Sequence, residues 1–371
     1  MANLEAKSKM SSWQFGIVVT SGLLTARLLS TTSYFVSYAQ QFAWLSSAIA
    51  GLMFYLAAYL MLRLGQQFPE ETIGEYIPRL FGKMFGSAVF LVFITVLLIN
   101  IINCAAALTK LISIFLFDQT PQAVLIIVLL LAVAYCVMQD FGTILRVIQI
   151  LVFALPLLYI FYSLIWLNFE PLNLLPLWPD DFIGILHGVL FHIAYYAGYE
   201  SLLVLLPLAR RGKISFARTV GWGFLIVTII YVLGAVVLVG SISAKTIASV
   251  PQPVIYAMKS IELPGTFIER LENYMIMFFM PVTYISMVIS YFALAEGCRK
   301  YLHYNDHRTF VPVFLPLIFF VCIFIDTPAR YDVFRYFGMY TILFFSFVMI
   351  PILLFLVWWK KGRCKNAKQN K

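Results

Sequence analysis

The sequence predicts an all-α integral membrane protein of ten transmembrane helices, built as two inverted groups of five with discontinuous first and sixth helices. Three observations carry this. The chain of 371 residues is 62% hydrophobic and only 12% charged, too little charge to cover a soluble domain but suited to a surface that faces lipid. Its apolar residues fall in long runs, and a helix needs ~20 of them to cross the hydrocarbon. The first and sixth runs are interrupted at matching places, the sequence signature of an inverted-repeat, transporter-type site.

The runs place spans at 13–37, 43–65, 86–117, 121–138, 141–167, 184–208, 214–241, 266–296, 310–326 and 335–359. Residues 1–12 form an N-terminal segment, 13–359 a ten-helix permease-like domain, and 360–371 a basic tail. The run from Trp13 is too long for a signal-peptide core and has no convincing cleavage site. The runs 86–117 and 266–296 exceed a bilayer crossing, so those helices are expected to tilt or to extend beyond the lipid.

Charge sets the orientation. The formal charge of +9 could point to nucleic acid, but the basic residues lie in short gaps between apolar runs, which fits membrane orientation better. With the N-terminus inside, the inner segments hold 19 of the 26 basic residues, from Lys7 and Lys9 through Arg210, Arg211 and Lys213 to the tail that starts at Lys360. The outer segments hold Lys245, Lys259, Arg270, Arg330 and Arg335, while Arg27 and Lys110 fall within spans. This asymmetry predicts cytoplasmic termini and an even number of spans.

Three connections are more than tight turns. Segment 66–83, with Pro69, Glu70, Glu71, Glu75 and Pro78, reads as a short interfacial helix. Segment 168–183 is rich in Pro, Asn, Asp and Trp and reads as an ordered outer loop. Segment 242–265, with Pro251, Pro253 and Pro264, has room for an amphipathic helix at the outer surface. The five cysteines are read as free thiols, because they show neither a disulfide framework nor metal-ligand spacing.

The interruption in the first span reads Thr20-Ser21-Gly22-Leu23-Leu24-Thr25, followed by Arg27. That in the sixth reads Ala194-Tyr195-Tyr196-Ala197-Gly198-Tyr199-Glu200-Ser201, then Pro207. Unwound backbone at bilayer depth is tolerated only where it lines a cavity or is buried in protein. A half-helix N-terminus there attracts a carboxylate, and free carbonyls attract an ammonium or a cation. A zwitterionic amino acid offers both charges. The competing reading is that Gly22 and Gly198 serve close helix packing.

Charged and polar residues at depth add candidates. Glu200 is costly within a span and so faces a partner, water or a ligand. It is read either as a ligand-amine or proton-coupling group, or as a clasp on the broken helix. Arg27 pairs with a carboxylate, binds an anion or snorkels. Asn100 and Asn103 share one face of the third span, and Ser286 and Ser290 one face of the eighth. Each pair either hydrogen-bonds between helices or lines a cavity beside the breaks. Lys110 reads as snorkelling at the outer end of the third span. Glu296 reads as pairing with Arg299 or Lys300, and Glu269 as capping the eighth span. The sequence has no nucleophile elbow, phosphate-cradling loop or metal cluster, so neither enzymatic activity nor a cofactor is expected.

A run of motifs resembles one family along nearly the whole chain. It comprises Trp13-Gln14-Phe15 and Trp44-Leu45 at the starts of the first two spans, and Gln67-Phe68-Pro69-Glu70-Glu71-Thr72 with Phe81-Gly82-Lys83 and Gly86. It continues with Thr120-Pro121, Asn173-Leu174-Leu175-Pro176, Gly198-Tyr199-Glu200 with Pro207, and Phe267-Ile268-Glu269-Arg270-Leu271-Glu272. Each motif is weak alone, but their order and spacing are specific. The chain resembles the B subunit of bacterial spore nutrient germinant receptors, the spore germination permease family of the amino acid–polyamine–organocation superfamily.

The resemblance implies ten helices in a five-plus-five inverted repeat and residence in the inner membrane of the endospore. It implies two partners, an A subunit with a soluble domain and a lipoprotein C subunit, and a small nutrient ligand, often an L-amino acid. Carried over residue by residue, it sets Gly22, Thr25, Asn100, Ala197, Gly198, Ser286 and Ser290 around the ligand, with Glu200 beside them. From the residues themselves, Arg27, Asn103 and Glu269 are read as structural or coupling residues. Many members have Gly where Thr25 stands, and Arg27 has no common counterpart; an anionic group on the ligand would suit Arg27. The expected function is nutrient sensing that signals germination through partner subunits. The alternative is an amino acid transporter coupled to protons or sodium.

Overall fold

The computed structural model describes residues 9–24, 27–192, 196–210, 216–261 and 270–369, without the side chains of 27, 28, 30, 31 and 361–369. Its secondary structure is helical apart from an isolated bridge between Met10 and Ala209. The first span is two helices, α1 (Ser12–Leu23) and α2 (Arg27–Ala39). α1 starts on a capping box: Ser11 Oγ accepts from the Gln14 N–H and the Gln14 side chain accepts from the Ser11 N–H, so two backbone donors that no helical carbonyl can reach are satisfied. The second span is α3 (Ala43–Gly65).

The predicted interfacial helix is α4 (Ile73–Phe81), with a second capping box between Thr72 and Glu75. It folds back on the third span, α5 (Lys83–Phe115), so closely that a Cβ at Gly86 would lie 2.6 Å from the Pro78 Cα. The fourth span is α6 (Gln122–Val137). The fifth is α7 (Phe141–Leu151) and α8 (Ala154–Ser163), continued by 3₁₀ turns to Asn168. α9 (Phe182–Phe191) begins the sixth span, and α10 (Leu202–Leu205) lies beyond its break. The seventh is α11 (Phe216–Ile242). Two short helices, α12 (Ala244–Ser249) and α13 (Pro253–Lys259), occupy the predicted outer segment and pack over α2. The last spans are α14 (Leu271–Tyr301), α15 (Val311–Phe324), and α16 (Pro328–Leu343) joined through a π turn, Phe344–Met349, to α17 (Ile350–Gln369).

Among the described residues, seven helical stretches are long and apolar enough to cross a membrane by themselves, with α2, α3 and the intervening turn counted together from Thr32. The expected ten spans are therefore not recovered by length alone. The shortfall falls on the two broken spans and on α6, which has 16 residues. Equivalent members of the two groups of five pack side by side: α3 of the second span on α11 of the seventh, and α5 of the third on α14 of the eighth. α14 forms the centre, with every residue from Ile285 to Cys298 buried and α1, α5, α6 and α8 packed around it.

One expectation needs correction. The tenth span begins at Pro328 rather than 335, so Arg335 is not a loop residue. It sits inside α16 at 8% exposure, its guanidinium carbon 3.4 Å above the centre of the Tyr34 ring and Nη2 3.2 Å from Asp332. Lys110, expected to snorkel at the outer end of the third span, is half-buried and lines a cavity between helices there. At the other end of the bundle, Glu296 accepts twice from Arg299, at 2.7 and 2.6 Å, while Lys300 pairs with Glu75 instead.

Candidate functional site

A helix that stops leaves its last carbonyls without the N–H groups of a following turn. α1 stops this way in mid-bundle. Leu24 turns to an extended conformation and its N–H reaches back only to the Ser21 carbonyl, at 3.4 Å. Two other spans supply donors instead. The Ser286 hydroxyl of α14 donates to the Gly22 carbonyl at 2.9 Å, and the Tyr231 hydroxyl of α11 donates to the Leu23 carbonyl at 2.8 Å. Thr25 lies outside the described residues, as does the side chain of Arg27, whose backbone opens α2.

The sixth span breaks after α9. Tyr196 and Ala197 are fully buried, and Gly198 adopts φ +116°, a conformation strained for residues with a side chain. A 3₁₀ turn, Tyr199–Ser201, follows. Gly198 is held on both sides by its own neighbours. Its N–H donates to Glu200 Oε2 at 2.8 Å, and its carbonyl accepts from Ser201 Oγ at 2.7 Å. The fully buried Glu200 carboxyl thus takes up a backbone donor that the broken helix leaves over.

The two breaks touch. A Cβ at Gly198 would lie 2.8 Å from the Gly22 carbonyl oxygen and 3.2 Å from Asn100 Nδ2. Asn100 Nδ2 donates to Ser290 Oγ at 2.7 Å, which ties the third span to the eighth beside the breaks. The structure therefore brings Gly22, Asn100, Gly198, Ser286 and Ser290 together, all buried, with Ala197 and Glu200 adjoining. Asn103 is not part of this group. Its Nδ2 donates to the Ile99 carbonyl of its own helix and faces Gly338 of α16. Glu269 lies outside the described residues.

Sequence reasoning missed Tyr231, and also Tyr199, whose hydroxyl donates to Ser346 Oγ in the π turn of the tenth span at 2.5 Å. One tyrosine among 21 carries no signal of such a partner. His192, just before the sixth break, is fixed between the Gly188 carbonyl at Nδ1 and Ser47 Oγ at Nε2, both 2.8 Å away. Among the described residues no cluster of three or more His, Cys, Asp or Glu side chains has the makings of a metal site. The groups at the breaks are carbonyls, hydroxyls, an amide and one carboxyl. Each of them can donate or accept hydrogen bonds, and the bonds described above run between them.

A family model described as spore germination protein matches residues 9–331. The chain belongs to the spore germination permease family. Relatives in Bacillus subtilis (strain 168) include spore germination protein YndE, 24% identical over 79% of this chain and 81% of that one. Spore germination protein A2 is 23% identical over 96% of this chain and 97% of its own. Spore germination protein B2 is 23% identical over 95% of each. Among solved structures, this germination permease is similar to a Na⁺-coupled sialic acid symporter in a substrate-bound, outward-open state. The TM-score is 0.63 at 12% identity, over 93% of this chain and 80% of that one. The family and the fold agree on an integral membrane protein with a permease architecture.

Proposed function

We propose that this protein is the nutrient-sensing membrane subunit of a spore germinant receptor, in the spore inner membrane with both termini cytoplasmic. It binds a small nutrient, an amino acid, where the two helix breaks meet, and signals germination through an A subunit and a lipoprotein C subunit. One observation carries the reading: the breaks of the first and sixth spans are in contact, with Asn100, Ser286 and Ser290 around them. Each hydrogen bond there is one that a zwitterion can replace. An ammonium donates where Ser286 donates to the Gly22 carbonyl, and a carboxylate accepts where Ser290 accepts from Asn100.

Exchanging internal bonds for ligand bonds changes how α1 and the 3₁₀ turn after Gly198 pack. That gives the ligand different affinities for two arrangements, which is what a signal to a partner requires. A ligand of so few atoms binds weakly, in keeping with a sensor of abundant nutrient. The test is Gly198→Leu. Its side chain has no room beside the Gly22 carbonyl, so spores carrying it should insert the protein in the membrane and fail to respond to any amino acid. A normal response with normal insertion refutes the reading. Uptake of labelled amino acid by the purified chain in vesicles would instead favour the transport alternative.

A further inference from the structure

A second polar site lies at the end of the bundle opposite α4. There a cavity of about 450 Å³ opens between α2, α5, α15 and α16, under the loop that joins α12 to α13. Its wall carries charges of both signs, Lys110 from α5 and Asp326 from the turn before α16. Neither forms an ion pair with any described residue. Gln252 contributes an amide whose Oε1 is buried without a hydrogen-bond partner among the described residues. Buried polar groups are nearly always paired, so an orphaned amide oxygen on a cavity wall marks a place for a donor.

The remaining acid is already engaged. Asp332 accepts from the Tyr34 hydroxyl at 3.2 Å and pairs with Arg335, which in turn stacks on Tyr34. That triad fixes the wall between α2 and α16. Among the groups on the cavity wall it leaves Lys110 and the exposed Asp326 without ion pairs, open to water, and the Gln252 amide oxygen buried without a hydrogen-bond partner among the described residues. We propose that this outer cavity binds a small zwitterion, an α-amino acid, with its carboxylate on Lys110 and its ammonium shared between Asp326 and the Gln252 amide oxygen. The site shares α2 and α5 with the helix breaks but none of their polar groups, and it does not rest on the reading of the breaks given above.

The test uses the full chain in lipid nanodiscs and a photoactivatable diazirine analogue of leucine. Irradiation should label peptides carrying residues 106–114 or 322–332, and excess leucine should suppress that label. Lys110→Gln and Asp326→Asn should each weaken labelling about tenfold at subsaturating probe, since each removes a charged hydrogen-bonding partner. Both positions are solvent-accessible, so the fold tolerates the changes. Gly198→Leu, or Asn100→Ala if that variant is poorly made, should leave this label in place. The proposal is overturned if no label reaches these peptides at millimolar probe. It is overturned equally if Lys110→Gln and Asp326→Asn label like the parent, or if an uncharged diazirine alkane labels the same peptides equally well.

Discussion

The helix breaks and the outer cavity lie along the same two helices, yet they handle polarity in opposite ways. At the breaks the groups are backbone carbonyls, hydroxyls, an amide and a carboxyl, and the contacts run group to group: Ser286 to Gly22, Tyr231 to Leu23, Glu200 to Gly198, Asn100 to Ser290. In the cavity the groups are full charges on side chains, and Lys110 and Asp326 stand without ion pairs among the described residues. The cost of charge at depth explains the difference. In the hydrocarbon an unmatched ion or backbone group is expensive, so polarity in mid-bundle is met by short bonds between neighbours. Near the surface water can solvate a lone ammonium or carboxylate. The breaks can therefore report on a ligand only by exchanging bonds, whereas the cavity can capture one without breaking any.

The largest effect should follow Gly198→Leu, which meets the Gly22 carbonyl and a φ of +116° together and should abolish the nutrient response. Next is Glu200, where two substitutions separate its two roles. Glu200→Ala leaves the Gly198 N–H buried without its acceptor, and should cost about 1–3 kcal/mol in detergent melting. Glu200→Gln keeps an oxygen for that N–H and should restore most of the stability. If it also restores the response, the carboxyl is a clasp; if the protein is stable but silent, the charge or a proton on it is needed. At the cavity, Arg335→Leu removes both the ion pair to Asp332 and the stacking on Tyr34. Asp332 remains partly exposed, so the loss should be roughly 1–2 kcal/mol. Leucine capture there should weaken as Tyr34 is freed, while germination variants at the breaks are unaffected.

Much of this arrangement is legible in the sequence, for identifiable reasons. The runs of apolar residues mark the spans because nothing else in a membrane protein needs them. Gly198-Tyr199-Glu200 marks the sixth break because a glycine two residues from an acid is out of place in a continuous membrane helix. The interfacial α4 shows in Thr72 and Glu75, a capping pair three residues apart. The start of the tenth span was hidden because Arg330, Asp332 and Arg335 look like loop charges. Only the tertiary fold supplies the Tyr34 ring and the acid that let Arg335 lie inside a helix. Likewise Tyr231 and Leu23 are 208 residues apart, and nothing local to either predicts their bond. Sequence periodicity reports which face is buried, but not which distant group completes a buried polar atom.

The smallest expected effect extends the comparison to the end of the bundle that carries α4, where charge is both paired and solvated. Glu75 there has two jobs. It closes the capping box of α4, with Oε2 accepting from the Thr72 N–H at 2.8 Å, and its other oxygen lies 3.3 Å from Lys300 Nζ. The cap satisfies a backbone donor that no helical carbonyl can reach, whereas the ion pair is partly exposed and screened by salt. Lys300→Ala should therefore change the stability of the purified protein by less than about 0.5 kcal/mol, and that small change should vanish in high salt. Glu75→Ala should cost about 1 kcal/mol with little dependence on salt. If Lys300→Ala proved as costly as Glu75→Ala, an exposed ion pair would be worth as much as a bond to a buried backbone donor, and the contrast between depth and surface would lose its physical basis.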